Sequence, residues 1–316
     1  MKMSWFVINL RKSFALAIAV GCLFYPLIGR CDSSGMLRVV ATNSIVADWV
    51  RNIAGDQINL VTLVGANADV HTFEPTPSDD IILAKSDIIF EIGFGLEHWM
   101  DKLYAASASK AKRIVLTDGV VTHPLNILRL GREHHQDSDP HVWQNVRYVM
   151  GIVKRINSAL KSADLAHAAI YEANTQAYLK QLQDLDAWII RKVTAIPRES
   201  RQLVTNHDTL GYFCERYQFK LVGAAFESVT TEAEDPSAKD MAELIFRIKT
   251  TKVRVIFAEN TNNSKYITSL AQEAKVELAP PLFTDALGTK ESQADTYIHM
   301  MRYNVDTIIL SLFKSQ

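Results

Sequence analysis

The feature that most constrains the fold is the stretch from Asp164 to Ile196, which contains neither glycine nor proline and is followed by Pro197. Asp164 suits the N-cap position, and basic side chains occupy the last turns. At about 1.5 Å per residue such a helix would be on the order of 50 Å long, longer than most helices inside one compact domain. Apolar residues recur at steps of three and four on one helical face, at Tyr178, Leu182, Leu185, Ile189 and Val193. The stretch therefore predicts a rigid element that connects two parts of the molecule.

Apolar strands alternate with helices on both sides of this stretch. The predicted strands cover residues 37–42, 58–64, 88–92, 113–116, 202–205, 220–222, 253–259 and 276–279. Continuous apolar strands between helices are typical of a parallel sheet covered on both faces. We predict an α/β chain with two lobes, each a parallel sheet flanked by helices, joined by one long connecting helix. The N-terminal lobe, the connecting helix and the C-terminal lobe would cover residues 36–163, 164–196 and 197–316.

The first residues have the composition of an export signal. Lys2, Arg11 and Lys12 precede an uncharged, mostly apolar run over residues 13–28, which is short for a membrane span. A polar segment follows this run, and we predict that residues 1–31 are an export signal. Two alternatives remain open: a retained N-terminal membrane anchor, or attachment of a lipid at Cys22 or Cys31.

Composition excludes several other classes of protein. The formal net charge is -1, so nothing suggests a basic surface that binds nucleic acid. The chain has 3 cysteines, and two of them lie in the leader, which excludes a disulfide framework in the folded body. The remaining cysteine, Cys214, lies in a predicted helix, and we interpret it as a buried packing residue rather than a metal ligand.

The candidate metal ligands divide evenly around the connecting helix, with His71 and His141 before it and His207 and Asp285 after it. His207 directly follows a predicted strand and begins a predicted helix over residues 208–217. His71 and Asp285 lie in loops after strands, and ligands of parallel sheets bind beyond the carboxyl ends of strands. Three imidazoles and one carboxylate form a complete ligand set for a divalent transition metal. These residues therefore predict one metal site between the lobes.

Each candidate also has an ordinary alternative when its position is considered alone. A loop histidine is more often a surface or hydrogen-bonding residue than a ligand. His141, two residues before Trp143, equally suits a packing role, and Asp285 equally suits a cap for the turn at Gly288. Glu259 ends a predicted strand, and two roles remain open for it: an acceptor for the ring N–H of a ligand imidazole, or a surface salt bridge.

Several ordered motifs point to a known family. They run from Asp69 to Asp79, Asp139 to Trp143, Thr205 to Asp208, Thr231 to Ala238 and Asp285 to Gly288. Together they resemble the metal-binding extracytoplasmic solute-binding proteins of ATP-driven manganese, zinc and iron importers (cluster A-I), which have a rigid linker helix. The resemblance spans from about residue 37 to the C-terminus. It implies two βα lobes around one buried metal ion, held by His71, His141, His207 and Asp285.

The function implied by this resemblance is binding and delivery, not catalysis. The protein would capture a divalent transition metal outside the cytoplasmic membrane, as a monomer, and deliver it to the membrane permease of an ABC importer with its ATPase. It would lie in the periplasm or on the outer face of the cytoplasmic membrane, with or without a lipid anchor. An adhesin or surface lipoprotein with a structural metal is the alternative. A metallohydrolase is disfavoured, because four protein ligands leave zinc no position for water.

The resemblance leaves the metal open among manganese, iron and zinc. Family members that resemble manganese carriers have glutamate at the third ligand position, where this chain has His207. Zinc-dedicated members often have a long loop rich in histidine and aspartate, which here is confined to residues 133–139. His134 and His135 either pass metal to the site or belong to a solvated loop. A monodentate Asp285 would suit tetrahedral zinc, whereas a bidentate one would suit manganese or ferrous iron.

Overall fold

The computed structural model describes residues 35–119, 139–225, 237–261 and 265–314. Contacts divide the chain into two units, Met1–Gly35 and Met36–Gln316, and the fold described below belongs to the second. Outside the described residues lie the predicted export signal, most of the motif from Thr231 to Ala238, and Cys22, Cys31, His134 and His135. Within the described part, no helix is long and apolar enough to cross a membrane.

The first half of the sequence, which we call the N-terminal half, forms a four-stranded parallel sheet with helices. Its strands β1–β4 are Leu37–Asn43, Ile58–Val64, Ile88–Glu91 and Lys112–Val115. The strand order is β2-β1-β3-β4, and Val40 of β1 lies opposite Val61 of β2 and Ile89 of β3. The helices α1–α4 are Ser44–Ala54, Pro77–Lys85, Met100–Ala106 and Val146–Ala163. A 3-10 turn, Val142–Gln144, precedes α4.

Helix α1 shows how local residues set the limits of an element. The Asn43 side chain accepts a hydrogen bond from the Val46 N–H at 3.0 Å and so caps the first turn. Gly55 ends the helix with a φ of +55°, a backbone conformation that favours glycine. The apolar face, which includes Trp49 and Ile53, is fully buried. Both ends of α1 are therefore set by residues within one turn of them.

The connecting helix, α5, covers Ala168–Val193 and is shorter than the predicted stretch over residues 164–196. Its predicted first turn is instead a separate 3-10 turn, Leu165–His167. The reason is local: the Asp164 side chain accepts the His167 N–H at 3.3 Å and caps this tighter turn. At 1.5 Å per residue α5 is about 39 Å long. It still extends from one half of the molecule to the other.

The second half of the sequence, the C-terminal half, contains two parallel strand pairs. Its strands β5–β8 are Gln202–Thr205, Lys220–Ala224, Val255–Glu259 and Glu277–Leu282. Strand β5 pairs with β6, β7 pairs with β8, and β5 lies beside β7. Its helices α6–α9 are Gly211–Tyr217, Ala238–Thr250, Lys265–Ala274 and Tyr297–Lys314. The predicted α/β architecture, with parallel strands flanked by helices, is confirmed in both halves.

The segment between β5 and α6 differs from the prediction. A helix was expected from Asp208, but α6 begins only at Gly211. The hydroxyl of Thr205 and the backbone N–H of Thr209 both donate to the His207 carbonyl, at 2.8 and 3.0 Å. These bonds hold the chain in a tight, non-helical loop. His207 therefore lies in the loop after β5 and not at the start of a helix.

One large apolar core runs through both halves. It includes Val40 and Trp143 from the N-terminal half and Leu203, Phe257 and Tyr297 from the C-terminal half. The last helix, α9, packs against both α5 and α1, so the last and first helices of the described fold are in contact. A smaller apolar cluster fills the space between β7, α7 and α8. The two halves therefore share a core in addition to the connecting helix.

Candidate metal centre

Four side chains from loops of the two halves converge on one point. His71 lies in the loop after β2, His141 precedes the 3-10 turn, His207 follows β5, and Asp285 follows β8. All four are buried, with exposed fractions of 3%, 0%, 0% and 1% respectively. The structure thus brings together the four candidates that the sequence singled out.

The distances between their ligand atoms fit a single metal ion. One donor atom from each residue lies within 4.8 Å of the other three. His71 Nε2 is 3.4 Å from His141 Nε2, and Asp285 Oδ2 lies 3.1 Å from His207 Nε2 and 3.7 Å from His71 Nε2. Donors bound at about 2.0–2.2 Å to a tetrahedral ion would be roughly 3.3–3.6 Å apart. Three imidazole nitrogens and a carboxylate at this spacing can therefore hold one transition-metal ion.

His141 is held by an aspartate two residues earlier in the chain. Asp139 Oδ1 accepts the His141 backbone N–H at 2.9 Å and lies 2.7 Å from the ring Nδ1. A carboxylate at Nδ1 keeps the proton there and directs the lone pair of Nε2 toward the centre. The Tyr212 hydroxyl donates to the Asp139 carbonyl at 3.0 Å and fixes this turn. The Trp143 ring also meets His141 edge-on, with centroids 5.2 Å apart, so His141 has a packing role as well.

The backbone of His71 is likewise held by an aspartate two residues earlier in the chain. Asp69 Oδ1 accepts the His71 N–H at 2.8 Å. The Trp99 Nε1–H donates to the Val70 carbonyl at 3.0 Å, and the Phe73 ring meets Trp99 edge-on with centroids 4.7 Å apart. Neither Asp69 nor Asp139 was predicted to have a role at the site. The repeated Asp-x-His spacing was a signal that could have identified both of them.

His207 is held by a carboxylate from another strand. Glu259, at the end of β7, places Oε2 2.6 Å from His207 Nδ1, and its Oε1 accepts the His207 backbone N–H at 3.0 Å. Glu259 is buried, so the predicted role as an acceptor is confirmed and the surface salt bridge is wrong. Burial alone would lower the pKa of His207, but Glu259 and Asp285 raise that pKa well above its ordinary value. Surroundings that draw a proton onto an imidazole are electrostatically suited to a cation.

Both oxygens of the Asp285 carboxylate face the imidazoles. Oδ1 lies 3.6 Å from His141 Nε2 and accepts a hydrogen bond from the Thr209 hydroxyl at 3.3 Å. Burial opposes ionisation of Asp285, but His207 and the other imidazoles hold its pKa well below its ordinary value. The alternative role at the following turn is wrong, because the Gly288 N–H bonds to a backbone carbonyl. Asp285 is therefore an ionised carboxylate aimed at the three histidines.

Cys214 takes no part in this centre. It is a free, buried thiol within α6, and burial raises its pKa above the ordinary value. A thiol that stays protonated in apolar surroundings is a poor metal ligand. The prediction of a packing residue is confirmed.

Comparison with known proteins agrees with the fold. Residues 39–310 match the family model described as ZnuA, zinc-uptake complex component A, periplasmic. The chain belongs to the ZnuA family. The match covers all four residues of the centre and both halves of the molecule, so the predicted family is confirmed.

Other members of the ZnuA family are similar over nearly their whole length. The manganese-binding lipoprotein MntA of Halalkalibacterium halodurans is 34% identical over 295 residues, which cover 93% of this chain and 94% of the relative. The manganese ABC transporter substrate-binding lipoprotein PsaA of Streptococcus pneumoniae is 31% identical over 288 residues, covering 89% and 91%. By name, the first relative is a manganese-binding lipoprotein and the second belongs to a manganese transporter.

Solved structures of similar proteins have the same fold. The periplasmic zinc binding protein TroA from Treponema pallidum superposes with a TM-score of 0.79 at 32% identity, covering 88% of this chain and 99% of its own. A manganese-bound periplasmic metal binding protein from Candidatus Liberibacter asiaticus has a TM-score of 0.76 at 26% identity, covering 87% and 99%. A cadmium-bound structure of that protein is equally similar.

Proposed function

We propose that this protein captures one divalent transition-metal ion outside the cytoplasmic membrane and delivers it to an ABC-type importer. The observation that carries the proposal is the buried group of three imidazoles and one carboxylate within 4.8 Å of one another. A buried group of this composition binds manganese, iron or zinc in preference to anions or organic solutes. The zinc-uptake family, the manganese-binding relative MntA and the ABC transporter relative PsaA support the same conclusion.

The proposed ligands are His71, His141, His207 and Asp285. Two of them come from a proposed N-terminal lobe over residues 36–163, and two come from a C-terminal lobe over residues 197–316. The stretch over residues 164–196 connects the lobes, and the ion lies between them. Residues 1–31 are the proposed export signal.

The importer partner would be a membrane permease with a cytoplasmic ATPase, and the protein would act as a monomer. Catalysis is not part of the proposal, because four protein ligands leave a tetrahedral zinc ion without a position for reactive water. An adhesin with a structural metal receives no support from the relatives, whose names describe transport.

The choice among manganese, iron and zinc depends on how Asp285 binds. Both of its oxygens face the imidazoles, so the carboxylate can offer one donor atom or two. One oxygen completes a four-coordinate site of the kind that zinc prefers, and two raise the coordination number in favour of manganese or ferrous iron. Relatives bind manganese in some cases and zinc in others, by their names.

Equilibrium binding tests this proposal. Metal-stripped protein is titrated with manganese, ferrous iron and zinc, beside the variants His207→Ala and His299→Ala. His299 is exposed and lies outside the centre, so its variant is the matched control. We expect the wild type and the control to bind one equivalent of metal tightly. His207→Ala should bind the metal at least about 100-fold more weakly. Absence of tight binding in the wild type, or binding that is indifferent to His207, would overturn the proposal.

A further inference from the structure

Thr284 contacts both halves of the metal centre, although it precedes Asp285 and belongs to the C-terminal half by sequence. Its carbonyl oxygen accepts hydrogen bonds from Trp143 Nε1 at 2.7 Å and from Gln144 Nε2 at 3.1 Å. These two donors follow His141 in the 3-10 turn of the N-terminal half. All of these residues are buried, so the bonds are shielded from competition by water.

The hydroxyl of Thr284 contacts the part of the centre that lies in the C-terminal half. It donates to Glu259 Oε2 at 2.9 Å, and the same oxygen lies 2.6 Å from His207 Nδ1. The second oxygen of Glu259 accepts the His207 backbone N–H. The three contacts occupy both oxygens of a buried carboxylate, so each donor limits the orientation that Glu259 can take.

We propose that Thr284 is a positioning residue that couples the two halves of the metal centre. The bonds of its carbonyl to Trp143 and Gln144 set its hydroxyl against Glu259, and Glu259 in turn fixes the His207 ring for the metal. When the 3-10 turn moves away from Thr284, the carbonyl loses its donors, Thr284 shifts, and His207 loses a fixed partner. The ion is then held less tightly at the moment of delivery. This inference rests on the proposed function, because it concerns how the same ion is held.

The direct test removes only the Thr284 hydroxyl. Thr284→Val keeps the shape of the side chain, and we expect the metal dissociation rate to rise about tenfold, since outer partners of metal ligands commonly contribute that much or more. Thr284→Ser keeps the hydroxyl and should restore the wild-type rate. The ¹⁵N signal of His207 Nδ1 in the metal-free protein should move in Thr284→Val and return in Thr284→Ser. A fold that was merely loosened would not give this paired response.

The sharper test acts from the opposite half. Gln144→Leu removes a donor to the Thr284 carbonyl, and no hydrogen bond joins Gln144 to Glu259 or His207 among the described contacts. We nevertheless expect this variant to raise the dissociation rate and to move the His207 Nδ1 signal. The double variant Gln144→Leu with Thr284→Val should dissociate no more than about twofold faster than Thr284→Val alone, because both changes act through one chain of contacts.

Thr209→Val is the matched control, since it removes a buried threonine hydroxyl that bonds to Asp285 and not to Glu259. When Thr209→Val and Gln144→Leu are combined, their separate effects on the metal dissociation rate should multiply. Wild-type binding with an unchanged dissociation rate in Thr284→Val, or an unmoved His207 signal in Gln144→Leu, would overturn the coupling role and leave the proposed function intact. A wild type that binds no metal would overturn the proposed function itself. If Thr284→Val does not fold, the Gln144→Leu measurements decide.

Discussion

The two halves of the molecule hold their imidazoles by different means. In the N-terminal half each histidine is preceded at two residues by its aspartate, as in Asp69 with His71 and Asp139 with His141. In the C-terminal half the partner of His207 is Glu259, 52 positions away on another strand. The first arrangement is a local turn that forms wherever the chain has the right sequence. The second exists only when β5 and β7 lie side by side.

This difference separates stable ligands from adjustable ones. A turn within three residues keeps its geometry while neighbouring elements move. A contact between strands changes whenever their packing changes, so the His207 side of the centre responds to the packing of β5 against β7. Three substitutions at residues that hold the ligands test this distinction, and a fourth at a buried carboxylate remote from the centre provides the contrast. They follow in order of their expected effect on metal affinity.

Glu259→Gln should have the largest effect. The amide cannot offer two anionic acceptors to His207, so we expect metal affinity to fall by about 10- to 100-fold, as is typical when an outer partner of a metal ligand is changed. Competition titration against a chelator measures the change, with the exposed Glu273→Gln on α8 as control. An affinity equal to that of the control would show that a support from a distant strand matters no more than a surface charge.

Asp139→Asn should have a smaller effect. The amide oxygen still accepts the His141 backbone N–H and preserves the turn, but the negative charge near Nδ1 is lost. Charge-assisted hydrogen bonds are about twice as strong as neutral ones, and we expect affinity to fall about tenfold. Asp69→Asn is the comparison variant, because Asp69 accepts the corresponding backbone N–H of His71. Equal losses in both variants would mean that the turn, and not the carboxylate at the ring, is what matters.

Trp99→Phe should reduce metal affinity only slightly. It keeps an aromatic ring against Phe73 but removes the N–H that bonds to the Val70 carbonyl beside His71. A net hydrogen bond contributes about 1 kcal/mol to stability, so we expect that loss in chemical unfolding and a fall in affinity of about threefold. Tyr104→Phe, which removes a hydroxyl bond to Ala111 remote from the centre, should cost similar stability without changing affinity. A tenfold fall for Trp99→Phe would place His71 among the adjustable ligands.

Asp48→Asn should change stability and leave metal affinity unchanged. Asp48 is as buried as Glu259, at 3% exposed, but lies between α1 and α9, where it accepts the Tyr297 N–H at 3.1 Å. Burial raises the pKa of Asp48 to about 6. The folded protein therefore keeps a proton that the unfolded chain loses near pH 4, and its stability falls as the pH rises from about 4 to 6.

Asparagine at position 48 cannot ionise, so the variant does not lose stability as the pH rises from about 4 to 6. We expect Asp48→Asn to gain up to about 3 kcal/mol in free energy of unfolding above pH 6 and little below pH 4. Denaturant unfolding at pH 4 and pH 7.5 measures the difference. A gain that is equal at both pH values would mean that ionisation of Asp48 is not its source.

The difference between local and distant contacts also explains which features could be predicted from the sequence. The ends of α1 follow from Asn43 and Gly55, which act within one turn, and the apolar strands follow from composition alone. The four residues of the centre could be selected because their motifs are short and ordered. The 3-10 turn at Leu165–His167 could not be predicted, because an aspartate caps an α-helix and a 3-10 turn equally well.

Contacts between distant strands could not be predicted, because no local sequence pattern encodes them. The register of β7 against β8 shifts between Phe257 and Glu259, next to the residue that supports His207. A strand pattern of period two contains no sign of such a shift. The bonds of Thr284 to Trp143 and Gln144 join residues about 140 positions apart and depend on how the two halves pack. No motif or spacing singled out Thr284.

The packing of α9 against α1 has a consequence for how the chain reaches its final state. The Leu287 N–H bonds to Ser44 across 243 positions, and the Tyr297 N–H bonds to Asp48 across 249. Contacts of such long range form slowly, because a large loop must close first. The opening helix therefore cannot acquire its full surroundings until the last helix has been synthesised. A chain truncated before α9 would therefore leave the α9-facing side of α1 exposed to water.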